Sequence, residues 1–244
     1  VSTSAALDGD EWVITGQKIW TSLAHLADWA FVIARTERGS TRHAGLSYLL
    51  VPMKQDTITV RPITQLTGTS EFNEVYFDGA RTAADLVVGE PGRGWSIAMG
   101  TLGFERGVST LGQQVGFARE LDGVIAVARS NGSIEDPLVR EKLTRAWMGL
   151  RVMRAYALTT LGGTGTQGED SISKLLWANW HRGLGELAMD VVGAPSMLAP
   201  DGELDEWQRL FLFTRADTIY GGSNEIQRNI ISERVLGLPR EARP

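Results

Sequence analysis

The chain has 244 residues, 43% hydrophobic and 22% charged, with a formal net charge of −5 and no cysteine. This balance suits one large or two modest folded cores and excludes a disordered-class composition. The acidic balance argues against nucleic acid or an anionic membrane as partner, and the lack of cysteine removes disulfides, thiolate metal sites and a thiol nucleophile. His25, His43 and His181 show no metal-ligand spacing, so no metal is expected. Apolar runs fall short of membrane-spanning length and VSTSAALDGDEW is no signal peptide, which sets the expectation of a cytoplasmic protein.

From Glu11 to about Val88 the pattern predicts short strands: WVITGQKIW, FVIAR, GLSYLLVPM, ITVRPI and NEVYFDGAR, separated by glycine-rich punctuation. Their spacing suggests a small sandwich or barrel. The Gly/Pro-rich GEPGRGW, Gly89 to Trp95, is the candidate boundary between a domain of residues 1–88 and one of residues 89–244.

Beyond it the period becomes helical. Phe104, Val108, Leu111, Val115, Ala118 and Leu121 predict a first helix ending before Ser130. Asp136-Pro137 opens a second carrying Leu138, Leu143, Trp147, Leu150 and Met153. A third runs from Ser171 to Gly193, with Trp177 and Trp180 packing between helices, and a fourth from about Leu204 to Thr218. A fifth follows Gly221-Gly222, with Ser223 as its N-cap. The expected fold is α+β: a partial β-barrel or sandwich followed by an antiparallel helical bundle.

Taken alone, Gly221-Gly222 before a helix reads either as a simple turn or as a seat for an anion or flat ligand. The whole stretch Tyr220 to Arg228, YGGSNEIQR, resembles the C-terminal signature of the acyl-CoA dehydrogenase family. Other stretches resemble the same family in the same order. GQKIWTS is similar to its flavin-facing segment, GTSEFNEVYFDGARTAADLVVGEPGRGW to the strand and junction leading into the bundle, and AMGTLGFERG to the start of the first long helix.

The resemblance implies FAD as cofactor, an acyl-CoA substrate, and α,β-dehydrogenation of the thioester to a trans-2-enoyl-CoA, within fatty acid or lipid metabolism. A carboxylate removes the α-proton while the β-hydrogen leaves as hydride to the flavin. Most members place that Glu directly after the signature Tyr, where this chain has Gly221. The isovaleryl-CoA and long-chain members supply it from the first long helix, at the place of Glu105 here, with Arg106 matching an arginine near the substrate. Glu105 is therefore the expected base, while Gly221 keeps the backbone N–H that polarises the thioester carbonyl, and Tyr220 and Arg106 face the substrate. An apolar setting beside Leu102, Gly103 and Phe104 would raise the carboxyl toward working pH. By residue type alone, Glu105 and Arg106 read as solvated helix residues.

Further positions follow from the same resemblance. Trp20 and Ser22 would lie against the flavin, although Trp20 by itself reads as a core aromatic. Ser223 and Glu225 would stand near the FAD. Gly193 in MDVVGAPSM would touch its adenine half from a neighbouring subunit, and Arg129 would reach its pyrophosphate across a dimer. The implied partners are an electron-transferring flavoprotein and a second or further copies, as a homodimer or homotetramer. The resemblance covers roughly the last three-fifths of the family pattern, which sets the expectation of a fragment lacking the N-terminal helical domain and a flavin loop. An acyl-CoA oxidase and a non-catalytic homologous subunit of a heteromeric dehydrogenase are the alternatives.

Overall fold

The computed structural model describes residues 1–161 and 168–240; the side chains of residues 103–110 and 169 lie outside the description. The chain forms two compact units, Val1–Phe104 and Glu105–Pro244.

In the first unit β1 (Ser4–Asp8), β2 (Glu11–Ser22), β3 (Trp29–Arg35), β4 (Leu46–Pro52), β5 (Ile58–Ile63) and β6 (Phe72–Ala83) form one sheet in the order β4-β3-β1-β2-β6-β5. β1 runs parallel to β3, while the other neighbours are antiparallel. Leu50 N donates to Leu86 O and Val88 N to Tyr48 O, both at 2.8 Å, so the chain leaving β6 returns to the far edge strand. The sheet therefore curls into the partial barrel that the strand spacing suggested. β1 was not expected: SAALD is short and alanine-rich, and its strand exists because the turn after Asp8 folds it onto β2 in register Ser4↔Thr15 to Asp8↔Glu11.

The barrel interior holds Ile14, Val32, Leu49, Val51, Val75 and Phe77, each fully or nearly fully buried. Each contributes roughly 1.5–3 kcal/mol relative to exposure. At the junction Gly94 has no room for a side chain, because a Cβ there would stand 2.4 Å from the Ser47 carbonyl carbon.

The helices are α1 (Gly94–Ser130), α2 (Pro137–Thr159), α3 (Glu169–Val192), α4 (Glu206–Thr214) and α5 (Asn224–Ile230). The division between units falls inside α1. Asp136 caps α2 through the Leu138 N–H at 2.8 Å, with Pro137 in the first turn. Asp205 and Gln208 form a capping box that starts α4. Lys142 meets Asp190 at 2.6 Å while the Trp180 indole donates to Ala146 O at 2.8 Å, so α2 and α3 run in opposite directions. Trp177 is buried.

Three sequence expectations need correction. On α1 the buried stripe is Gln114, Phe117, Leu121, Val124 and Ala128, whereas Val115 is exposed. Both registers satisfy three-and-four spacing, and Gln114 tolerates burial because its amide donates to Met153 O at 3.3 Å. On α2, Leu143 and Met153 are buried but Leu138 and Trp147 face outward. α4 ends at Thr214, not Thr218. The chain then continues in turns whose N–H groups reach back three residues, Ala216 to Phe213 and Asp217 to Thr214, as the Asp217 side chain turns inward.

Candidate active site

In the first unit the informative place is the end of β2. The β2–β6 register breaks between Lys18 and Thr21, and the bulge carries Trp20 at φ 61°. Left-handed backbone is costly for a bulky residue and is held only where the surroundings impose it. Here β6 imposes it. The Asn73 amide, fully buried, donates to Thr21 O at 3.1 Å, and Leu23 N donates to Glu71 O at 2.7 Å. Lys18, half-buried, donates to Ile33 O at 2.6 Å, and burial lowers its pKa. The result is a Trp20 that is 61% exposed, with Phe72 edge-on to its ring at 6.2 Å and Ser22 also exposed two residues on. An exposed aromatic on strained backbone is a surface suited to a flat ring system, so these residues fit a flavin. His25, close by in sequence, is exposed.

In the second unit the site is the turn between α4 and α5. Gly221 and Gly222 have φ of 64° and 94°, conformations that suit glycine. Gly221 is exposed, and its N–H has no backbone acceptor among the described residues. Buried Gln227 donates its amide to Gly221 O at 3.1 Å and Gly222 O at 3.3 Å. Ser223 caps α5 by accepting from Ile226 N at 3.4 Å. Glu225 is exposed, its carboxyl lowered by its own backbone N–H and the Ser223 hydroxyl.

Behind this turn lies a polar cluster in which Lys174, His181 and Asp217 are buried and Glu120 is partly exposed. The Tyr220 hydroxyl donates to Asp217 Oδ1 at 2.8 Å, His181 Nδ1 lies 2.7 Å from Asp217 Oδ2, and His181 Nε2 lies 2.8 Å from Glu120 Oε2. Lys174 Nζ donates to the Asp217 carbonyl and sits 3.9 Å from the Trp177 ring centre and 4.9 Å from that of Tyr220. Burial lowers the Lys174 ammonium to about 8. Burial also works against the His181 imidazolium, but hydrogen bonds to Asp217 and Glu120 outweigh it and raise the group to about 9. Burial, with the charge of Asp217, pushes the Tyr220 phenol far up.

The remaining expected residues are spread along the bundle. Gly193 ends α3 at φ 71°, and exposed Arg129 stands in the last turn of α1. The Asn131 amide donates to Val191 O at 2.8 Å, which draws those two ends together. Twelve positions of α3 separate Gly193 from His181, roughly 18 Å along a helix. The chain thus holds the residues expected across a subunit boundary apart from the glycine turn. The side chains of Glu105 and Arg106 lie outside the described residues.

The sequence does not show that Glu120, Lys174, His181, Asp217 and Gln227 gather behind the turn. One signal was present: Lys174 and His181 lie seven apart on the same α3 stripe as Trp177 and Ala178, where apolar residues are expected.

The family model described as acyl-CoA dehydrogenase, middle domain, matches residues 1–80, and that for the C-terminal domain matches residues 92–236. Acyl-CoA dehydrogenase IpdE1 of Mycobacterium tuberculosis is 70% identical over 245 residues, covering 100% of this chain and 64% of that protein. A solved structure described as the Tcur3481-Tcur3483 steroid ACAD is 29% identical with a TM-score of 0.88, covering 99% of this chain and 64% of that one. The ChsE4-ChsE5 complex from Mycobacterium tuberculosis is 26% identical with a TM-score of 0.82, covering 99% and 65%. The chain thus spans about 64% of the length of these relatives. With two family domains matched in their proper order, the chain belongs to the acyl-CoA dehydrogenase family.

Proposed function

We propose that the chain is the middle and C-terminal part of an FAD-dependent enzyme that converts an acyl-CoA thioester to its trans-2-enoyl-CoA. In this reading the boundary between the middle and C-terminal domains lies at residues 88/89. The observation that carries the reading is Gly221: at the signature position it has no carboxylate, yet it presents an exposed N–H without a backbone acceptor among the described residues.

Glu105 takes the proton from Cα, and the Gly221 N–H stabilises the negative charge that grows on the thioester oxygen. FAD, when bound, supplies the acceptor for the β-hydrogen and its electron pair, which leaves the Cα–Cβ double bond. Trp20 and Ser22 line the flavin ring, Ser223 and Glu225 stand near it, and Arg106 and Tyr220 face the substrate. Gly193 and Arg129 serve the dinucleotide of a neighbouring copy in a homodimer or homotetramer. Electrons leave to an electron-transferring flavoprotein, and the setting is cytoplasmic. Among the described residues no helix is long and apolar enough to cross a membrane.

The test is anaerobic mixing of the full-length flavoprotein with straight-chain, branched and steroid-side-chain acyl-CoAs. Loss of flavin absorbance with at least one thioester is expected in the wild type, and this bleaching is expected to be strongly slowed in Glu105→Gln. Undiminished bleaching in that variant removes Glu105 from the role.

A second reading follows from the two-component descriptions of the steroid ACAD and ChsE4-ChsE5 structures: this chain forms a heteromer with a homologous chain. Native mass measurement of the purified protein decides it, since two distinct subunit masses in one complex support the heteromer.

A further inference from the structure

The glycine turn poses a mechanical problem. Two successive residues with φ of 64° and 94° make the least restrained backbone a chain can offer, yet the Gly221 reading requires one N–H to stay aimed at a carbonyl oxygen. From the downstream side, Gln227 holds both glycine carbonyls. From the upstream side, the tether is the Tyr220 hydroxyl on Asp217 at 2.8 Å.

That tether is as firm as Asp217. Its carboxylate is fully buried, and its second oxygen is engaged by His181 at 2.7 Å. The other ring nitrogen of His181 faces Glu120 at 2.8 Å. Two ionised carboxylates on two ring nitrogens are both satisfied only by two N–H donors, which assigns the ring the imidazolium form; a neutral ring would turn a lone pair on one carboxylate. The groups facing it are Glu120 from α1, Asp217 from the turn after α4, and the Phe117 ring at 4.3 Å, with Lys174 on its own helix held to the Asp217 carbonyl. Arg215 and Glu186 pair with each other at 2.7 Å.

We propose that His181, strung as imidazolium between Glu120 and Asp217, is a positioning residue. It fixes the carboxylate that holds Tyr220, and through Tyr220 it sets the direction of the Gly221 N–H. The proposal rests on the reading of Gly221 as the thioester-oxygen donor. Packing alone does not account for the cluster, because apolar residues of similar volume commonly stabilise a core as well as or better than a buried ion network. Here the network stands immediately behind the turn whose backbone must be aimed.

The experiment uses the full-length flavoprotein and an acyl-CoA labelled with ¹³C at the thioester carbonyl. The carbonyl stretch of the bound thioester is read by infrared difference spectroscopy alongside anaerobic flavin reduction. In the wild type the stretch falls below that of the free thioester. In His181→Gln the flavin content and KM change less than about threefold, while most of the displacement of the stretch is lost and reduction slows about 10- to 100-fold, less than the roughly 10²- to 10³-fold for outright removal of an oxyanion donor because the N–H is misaligned and not removed. Tyr220→Phe, which leaves the His181–Asp217 pair intact but removes the tether itself, shows a change at least as large and carries the test if His181→Gln does not fold. Val191→Ala, a core truncation elsewhere on α3, keeps the full displacement.

A full displacement and wild-type reduction in the His181 and Tyr220 variants overturn the proposal and leave the Gly221 reading standing. Absence of a displacement in the wild type overturns both.

Discussion

The amide nitrogen of Gln227 donates at 3.1 Å to the carbonyl of Gly221, and at 3.3 Å to that of Gly222. The two glycines are nonetheless unequal. A Cβ on Gly221 would meet only the Lys174 Cε at 3.5 Å, an ordinary contact, whereas a Cβ on Gly222 would stand 2.5 Å from the Gln227 amide nitrogen. Gly221→Ala should therefore lose about 1–2 kcal/mol for its left-handed backbone and keep its N–H and most of its activity. Gly222→Ala should lose more stability and slow flavin reduction as well, because Gln227 must move. Thermal unfolding and rapid-mixing flavin reduction on both variants check the contrast; equal behaviour would remove Gln227 as the anchor.

Removing the base should be severe. Glu105→Gln is expected to slow flavin reduction about 10²- to 10⁴-fold, the range for general-base catalysis, with flavin content unchanged. Because the space beside Gly221 admits a side chain, Gly221→Glu in the Glu105→Gln background should restore part of that loss. No recovery in the double variant, if it is folded and flavin-loaded, would show that a carboxylate at 221 does not reach the α-proton.

Trp20 combines a strained φ of 61° with 61% exposure, so its conformation serves something other than the barrel core. Trp20→Gly relieves the backbone cost while losing the edge contact to Phe72. Stability of the flavin-free protein should change by less than about 1 kcal/mol, with these effects opposed. Retained flavin after gel filtration should fall at least about tenfold, and Trp20→Phe should retain it. A Trp20→Gly protein that keeps its flavin would return Trp20 to a structural role.

The buried cluster predicts a pH dependence of stability. His181 is raised from 6.5 to about 9, so its contribution is fully present below pH 6.5 and is lost as pH rises through 9. The whole effect is about 3 kcal/mol, since each tenfold gain in proton affinity on folding is worth about 1.4 kcal/mol. Lys174, lowered from 10.5 to about 8, acts oppositely: its charged form opposes folding below pH 8, and that penalty is relieved as pH rises toward 10.5. From these two groups, apparent Tm should fall by several degrees between pH 6.5 and 8, where His181 acts alone, flatten between pH 8 and 9, where the two oppose, and rise above pH 9, where Lys174 acts alone. His181→Gln should be less stable at pH 6.5 and should lose the slope between pH 6.5 and 8. A wild type with flat stability across that window would mean the ring is not held as imidazolium.

Most of the architecture was legible because it follows from local rules. Strand alternation, Asp136-Pro137 and Ser223 are signals carried within a few residues, and the elements they announce are present. Element ends were less legible. α4 stops at Thr214 as the Asp217 side chain goes inward to His181 on α3 and to Tyr220, and the alanine-rich β1 becomes a strand only by pairing with β2.

The glycine pair shows the same division. By itself the sequence determined that Tyr220, Gly221 and Gly222 form a turn ahead of a capped helix, without a carboxylate at the signature position, and that Glu105 stands on the first long helix. It could not show what makes the turn rigid. Glu120, Lys174, His181 and Asp217 come from α1, α3 and the turn after α4, as far as 97 positions apart in number between Glu120 and Asp217, and each alone reads as an ordinary solvated charge. Only tertiary packing buries Lys174, His181 and Asp217 and brings the partly exposed Glu120 onto the ring, and in that low-dielectric interior each charge must find its partner, which converts scattered residues into one frame behind Gly221.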